Sequence, residues 1–93
     1  MTIGFCRLVL HLPEAGSLKQ KRRVLESLTT RIRQKFNVSV SEIDAHDLWQ
    51  KAVVGVAVVS SDSVFSNQVL NKVVKLVEAE HRAQMIDYSV EMM

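Results

Sequence analysis

Basic side chains are concentrated in one short part of this 93-residue chain. Residues 18–36 contain seven of the twelve lysines and arginines and a single acid, Glu26, which gives a formal charge of +6. The other residues carry five bases and nine acids, a formal charge of −4. Such a segment is suited to binding an anion, so the sequence predicts an anionic partner. The seven bases are Lys19, Lys21, Arg22, Arg23, Arg31, Arg33 and Lys35.

A helix is the element that has to present these charges. Ser17 is a suitable N-terminal cap, because its hydroxyl can accept a hydrogen bond from an amide of the first turn. Asn37 is a suitable C-terminal cap. Between them, apolar residues recur at helical spacing and predict one buried stripe. The stripe consists of Leu18, Val24, Leu25, Leu28, Ile32 and Phe36.

The helical projection divides the seven bases into unequal groups. Lys21 projects onto the apolar stripe, and the sequence leaves open whether it turns back to solvent or helps to form a pocket at the helix start. Arg31 and Lys35 lie on one flank, where we expect them only to increase solubility. The other flank carries the remaining four bases: Lys19, Arg22, Arg23 and Arg33.

The start of this helix is predicted to bind phosphate groups. Cations in the first turns face the positive end of the helix dipole, which costs about 0.3–1 kcal/mol each at exposed sites. A docked anion would relieve that cost, and the free amides of a helix start already favour phosphate. The alternative is a solvated face paired with acids from the rest of the chain. The predicted RNA- or anion-binding residues are Lys19, Lys21, Arg22, Arg23 and Arg33.

No group of residues indicates catalysis, and we predict neither an enzyme nor a bound cofactor. The three histidines have no serine or cysteine beside them in a nucleophile-like setting. Cys6, the only cysteine, is predicted on the core side of a strand, where it would be a small buried hydrophobe without a disulfide partner. We expect no metal site, because the spacing matches no metal-binding loop in the acidic connection of Glu42, Asp44, His46 and Asp47.

Four strands can be recognised by their patterns. Alternation of side chains predicts strands at 2–12 and 38–44, the second with a bulge or a strand end where Ile43 breaks the phase. Residues 51–60 form a third strand that is apolar on both sides. The fourth alternates apolar Ile86, Tyr88, Val90 and Met92 with polar Asp87, Ser89 and Glu91.

A second helix, capped by Asp62 or Ser63 and running to about Arg82, completes the order β-α-β-β-α-β. Right-handed crossovers place both helices on one face of the sheet. The expected fold is therefore α+β and ferredoxin-like, with an antiparallel sheet in the order 4-1-3-2. We predict one such domain over residues 1–93.

The sheet face that lies away from the helices is expected to be covered. A strand that is apolar on both sides is usually buried on both sides, and a second copy of the chain is the simplest cover. We therefore expect a homodimer or a higher homo-oligomer. Trp49 either packs beneath the hairpin, which we favour, or contacts the second copy. The candidate interface residues are Phe5, Arg7, Val9 and Trp49.

Several segments resemble the YlxP-like family of small bacterial proteins, a family of unknown function. They are SLKQKRRVL at 17–25, FNVSVSEID at 36–44, DLWQKA at 47–52 and GVAVVS at 55–60. The resemblance covers nearly the whole chain and implies a ferredoxin-like domain. It also implies a connection to translation or ribosome maturation, because members are described as candidate ribosome-binding factors. It implies no catalytic residues.

Two functions remain open at this point. The first is a non-catalytic accessory protein that binds RNA or the ribosome through its basic first helix. The second is a structural or regulatory interaction domain that self-associates through its open sheet face without binding RNA. We expect a cytoplasmic protein without membrane contact, because the start lacks a signal-peptide pattern and the most apolar run, 52–59, is too short to span a bilayer.

Overall fold

The structure, a computed structural model, describes residues 1–93 and contains a four-stranded sheet and two helices. Neither helix is long and apolar enough to cross a membrane. The elements in chain order are β1 (Thr2–His11), α1 (Leu18–Lys35), β2 (Ser39–Asp44), β3 (Lys51–Ser60), α2 (Ser63–Glu78) and β4 (Gln84–Met92).

The sheet has the strand order β2-β3-β1-β4, and every neighbouring pair is antiparallel. This confirms the predicted α+β ferredoxin-like fold and its strand order. Both helices bury their apolar stripes on the same side of the sheet, since Leu28 of α1 and Leu70 of α2 share one core with Leu8 of β1 and Val56 of β3. Cys6 belongs to this core and is fully buried, as predicted.

Reciprocal side-chain bonds fix the start of α1. Ser17 Oγ accepts a hydrogen bond from the Gln20 amide at 3.1 Å, as expected of the predicted cap. Gln20 Oε1 in turn accepts from the Gly16 amide at 2.6 Å. The first bond satisfies an amide that the helix itself leaves without an acceptor, and the second ties the residue before the cap to the first turn. The predicted C-terminal cap, Asn37, is wrong, because the chain leaves the helix one residue earlier at Phe36, which is already extended.

The second helix and the last strand differ from their predicted bounds. α2 is capped by Asp62, as predicted, but ends at Glu78 instead of near Arg82. β4 therefore begins at Gln84, before the predicted alternation. A bulge in the pairing with β1 lets Met85, not Ile86, lie opposite Leu10. Alternation alone could not locate this bulge, because Met85 and Ile86 are both apolar and either could be the residue opposite Leu10.

One face of the sheet lies open. The register places alternate residues of β1 and β3 on it, among them Phe5 opposite Ala57 and Val9 opposite Val53. Some of these side chains are buried within the single chain, and Val53 is only 1% exposed. Others are open to solvent, and Val59 is 67% exposed. The predicted bulge in β2 is confirmed by the shift of register between Glu42 and Asp44.

A buried carboxylate ties α1 to the turn between α2 and β4. The side chain of Glu80 is 2% exposed and accepts hydrogen bonds from the Arg82 guanidinium at 2.8 and 2.9 Å and from Arg31 of α1. Arg82 also donates to Ser27 Oγ of α1 at 3.1 Å. The hydrogen bonds from Arg82 lower the pKa of Glu80 from 4.5 to about 2, although burial opposes this. The turn that replaces the predicted last part of α2 is therefore tied to α1 by the ion pairs of Glu80 and by the hydrogen bond from Arg82 to Ser27.

We expect this carboxylate to make folding stability depend on acidity. Because its pKa is lower in the folded than in the unfolded chain, its contribution is present above pH 4.5 and is lost as the pH falls toward 2. Its full size is about 3 kcal/mol. In urea unfolding at pH 7, the free energy of unfolding of Glu80→Gln should be lower than that of the wild type by this amount. Between pH 4.5 and 2, the unfolding free energy of the variant should change less than that of the wild type. Glu78→Gln, an exposed carboxylate nearby, is the control; equal behaviour of the two variants would contradict the assignment.

Candidate nucleic-acid interface

The basic residues of α1 differ in how the structure uses them. Lys21 and Arg31 form ion pairs, with Glu42 and Glu80. The other five have no carboxylate within 4.0 Å, and Glu26, the only acid on the helix, pairs with none of them. The side chains without a carboxylate partner are Lys19, Arg22, Arg23, Arg33 and Lys35, and all five residues are exposed.

Lys21 does not belong to the anion-binding set in which the sequence placed it. Its side chain is 1% exposed, and its ammonium group points into the connection between β2 and β3. Nζ donates hydrogen bonds to the carbonyl oxygens of Ala45 and Leu48, each at 2.7 Å, and lies 2.8 Å from Glu42 Oε2. That oxygen is buried and has no hydrogen-bond partner, so its contact with Lys21 is ionic. An ammonium with these acceptors is not available to an external phosphate, so this prediction is wrong.

The connection held by Lys21 has an unfavourable backbone conformation. Ala45 has φ of 60°, the only positive value at a non-glycine residue, and an L-residue with a Cβ pays about 1 kcal/mol there. The Asp44 carboxylate accepts from the Ala45 amide at 2.7 Å, and Lys21 binds the Ala45 carbonyl. Both polar groups of the strained peptide are thus satisfied. The sequence contained a signal for this arrangement, namely a lysine on an apolar stripe.

The predicted flank of α1 is present on the surface. Lys19, Arg22 and Arg23 are exposed near the helix start. Arg33 lies about three turns farther along the helix and donates from Nη2 to the carbonyl of Val40 in β2 at 2.9 Å. That bond uses one of its five N–H groups and leaves its charge without a carboxylate partner. These four residues, here called the α1 flank, form a cationic surface along one side of the helix layer.

A second cationic surface was missed by the sequence reasoning. Arg31 and Lys35 of α1 lie with Lys72 and Lys75 of α2 along a groove of about 810 Å³ between the helices. Arg31 does more than solubilise, because it pairs with Glu80. The three lysines have no carboxylate within 4.0 Å. The spacing of Lys72 and Lys75 placed them on one face of α2, but only the packing of the helices shows which residues they face.

The candidate interface residues share the open side of the molecule. Phe5, Arg7 and Val9 lie on the open sheet face, where Val9 is buried and Arg7 is exposed. The Phe5 ring and the Ile43 side chain both lie over Gly55, each 3.1 Å from where a Cβ of Gly55 would be. Trp49 does not pack beneath the hairpin, as we favoured, but is 53% exposed and lines a surface pocket with His11 and Lys51.

The side chains that most often carry catalysis are dispersed or unreactive. Burial raises the pKa of the Cys6 thiol to about 11, so the nucleophilic thiolate is scarce at neutral pH. No three histidine, cysteine or acidic residues lie close enough together to hold a metal ion. His46 hydrogen bonds to the Glu42 carbonyl and His11 to the Gln50 carbonyl, so these two rings bond to backbone.

A family model described as a protein of unknown function (DUF503) matches residues 3–90 of the chain. The chain belongs to this family. It is also 43% identical over 77 residues to the uncharacterized protein YlxP of Bacillus subtilis (strain 168), a match that covers 83% of this chain and 84% of that protein. The sequence-based resemblance to the YlxP-like family is thereby confirmed. Neither name states an activity.

A solved structure gives independent support for the fold. The de novo designed protein Foldit4 superposes with a TM-score of 0.58 over the whole of this chain and 97% of its own, at 10% sequence identity. At that identity the likeness concerns the fold alone. It shows that this DUF503 chain has an architecture that unrelated sequences can also adopt.

We expect Lys21→Met to destabilise the protein by about 3 kcal/mol, because removing one member of a buried ion pair leaves the other without compensation. Here the Glu42 carboxylate would lose its cationic partner, and two loop carbonyls would lose their donor. Lys19→Met, at an exposed lysine of the same helix, should change stability by less than about 0.5 kcal/mol. Guanidinium unfolding measures both, and equal midpoints would contradict the structural role of Lys21.

Proposed function

We propose that this protein is a non-catalytic accessory factor that binds RNA, in the cytoplasm and in the context of the ribosome, through the α1 flank. The observation that carries the proposal is the absence of carboxylate partners around Lys19, Arg22, Arg23 and Arg33. The alternative, a solvated helix face paired with acids from the rest of the chain, would require carboxylates beside these four residues.

The position of these charges on α1 also favours a phosphate ligand. Three of the four lie in the first turns of an 18-residue helix, where the dipole disfavours cations. There is no acidic residue in the first turn to offset that cost. RNA phosphates along the flank would supply the missing negative charge without base contacts. This leads us to expect binding with little sequence preference at this surface.

The open sheet face is less suited to RNA. RNA-recognition domains of this architecture stack bases on aromatic side chains of the central strands. Here β3 contains no aromatic residue, and the single aromatic ring of β1, Phe5, is half-buried over Gly55. The proposal therefore assigns RNA to the helix layer.

Charge reversal on α1 tests the proposed function. Four phosphate contacts to single-stranded RNA should give a slope near −3 for log K against log salt, at roughly −0.7 for each contact. Lys19→Glu, Arg22→Glu and Arg23→Glu together should weaken RNA binding by on the order of a hundredfold at low salt and abolish co-sedimentation with ribosomes. Fluorescence anisotropy and sucrose-gradient sedimentation measure the two effects.

Arg22→Glu alone should be compared with Lys51→Glu, which has the same charge change but lies on the open sheet face. If both variants weaken RNA binding equally, only net charge matters and the α1 flank is not the site. Survival of ribosome co-sedimentation in the triple variant would also contradict the proposal. Circular dichroism should show an unchanged fold, because all three replaced residues are exposed.

Self-association through the open sheet face is the second candidate function, and one observation favours it. Arg7 lies opposite Ser89 in the register, so Asp87 and Glu91 are its diagonal neighbours on that face. Nevertheless Arg7 forms no ion pair with either. A two-fold related copy could bring its own acidic β4 edge to Arg7 while covering the exposed Val59.

We expect a homodimer at micromolar concentration that Val59→Glu converts to a monomer, because the new carboxylate would be buried without a partner. Val59 is 67% exposed in the single chain, so its replacement should leave the fold intact. Val64→Glu, at a valine that is 62% exposed on α2, is the matched control. Sedimentation velocity measures the association state, and a wild-type monomer would end this hypothesis.

A further inference from the structure

The groove between α1 and α2 combines positive charge with an apolar floor. Lys35, Lys72 and Lys75 line it together with Arg31, and no acidic residue does. Its apolar lining comes from Phe36, Leu76 and Ala79. The three lysines have no carboxylate partner, and Lys35 Nζ lies 5.9 Å from the centre of the Phe36 ring. A ligand that fits both parts carries negative charge and a flat apolar group.

We propose that this groove, here called the interhelix groove, binds an unpaired nucleotide of single-stranded RNA, with its base over Phe36 and its phosphates at Lys72 and Lys75. The inference rests on the proposed function and specifies its RNA as single-stranded. Bases stack on aromatic rings with little sequence preference, and lysines follow the backbone as point charges. The groove volume of about 810 Å³ lies within the range of sites that hold ligands of nucleotide size.

The groove also extends the cationic surface of the α1 flank. α1 carries Lys19, Arg22, Arg23 and Arg33 outside the groove and Arg31 and Lys35 inside it. A strand that crosses the helix layer would meet unpaired cations on both sides of α1. An acidic protein segment would satisfy the lysines equally well, but it would not require an aromatic ring at Phe36. The two ligands therefore differ in whether binding at the groove requires a nucleobase.

The test uses the full chain and two fluorescently labelled probes of equal length, an oligouridine and an abasic ribose-phosphate oligomer. Lys72→Glu with Lys75→Glu should weaken binding of both probes by about tenfold and reduce the salt slope by about 1.4, since two phosphate contacts are lost. Phe36→Leu, which keeps an apolar residue in the partly buried position, should weaken oligouridine by about fivefold or more and leave the abasic probe unchanged.

Matched variants keep the two proposals distinguishable. Lys75→Glu should weaken binding more than Lys51→Glu, which makes the same charge change on the other face of the sheet. If Arg22→Glu with Arg23→Glu abolishes oligouridine binding while the groove variants do not alter it, the groove inference is overturned and the proposed function stands. If the wild type binds neither probe, both are overturned. Equal loss of the two probes in Phe36→Leu would exclude base stacking and favour an acidic ligand of another class.

Discussion

The buried ammonium of Lys21 is the interaction on which the arrangement of the remaining charges depends. It lies on the core side of α1 and reaches Glu42 and the loop carbonyls between β2 and β3. Taking a charge out of water is expensive unless hydrogen bonds replace the lost hydration. Here two loop carbonyls accept hydrogen bonds at 2.7 Å, and the Glu42 carboxylate adds an ionic contact at 2.8 Å. The same bonds hold the strained peptide at Ala45, so helix, strand and loop become one unit.

A second ionic cluster performs a comparable role at the other end of the helix layer. Glu80 is shared by Arg31 of α1 and Arg82 of the turn before β4. The basic residues of these two clusters, Lys21, Arg31 and Arg82, stabilise the fold through their ion pairs. The polarised charge seen in the sequence is therefore partly architectural. What remains for a partner is the α1 flank together with the lysines of the interhelix groove.

The sequence was sufficient for the fold and for part of the candidate site. Periodicity identified every strand and helix, and the topology followed from the handedness of crossovers. The site residues that were misjudged are those whose environment depends on distant parts of the chain. The position of Lys21 on the apolar stripe is a local signal, but it does not identify the loop carbonyls that Lys21 binds. Arg31 has the same charge as Arg22, and nothing local indicates its pairing with Glu80. Lys72 was overlooked because the basic residues that it faces across the groove belong to the other helix, α1.

The two candidate functions use opposite faces and are physically compatible. The open face of the sheet carries Val59, Arg7 and Trp49, whereas the unpaired lysines and arginines of the helices lie on the other side. A dimer formed through the sheets would direct both helix layers outward. One RNA that reached both layers would bind the second at a high effective concentration, and avidity would exceed the affinity of either single surface. A weak cationic surface of a 93-residue chain could then hold a large RNA.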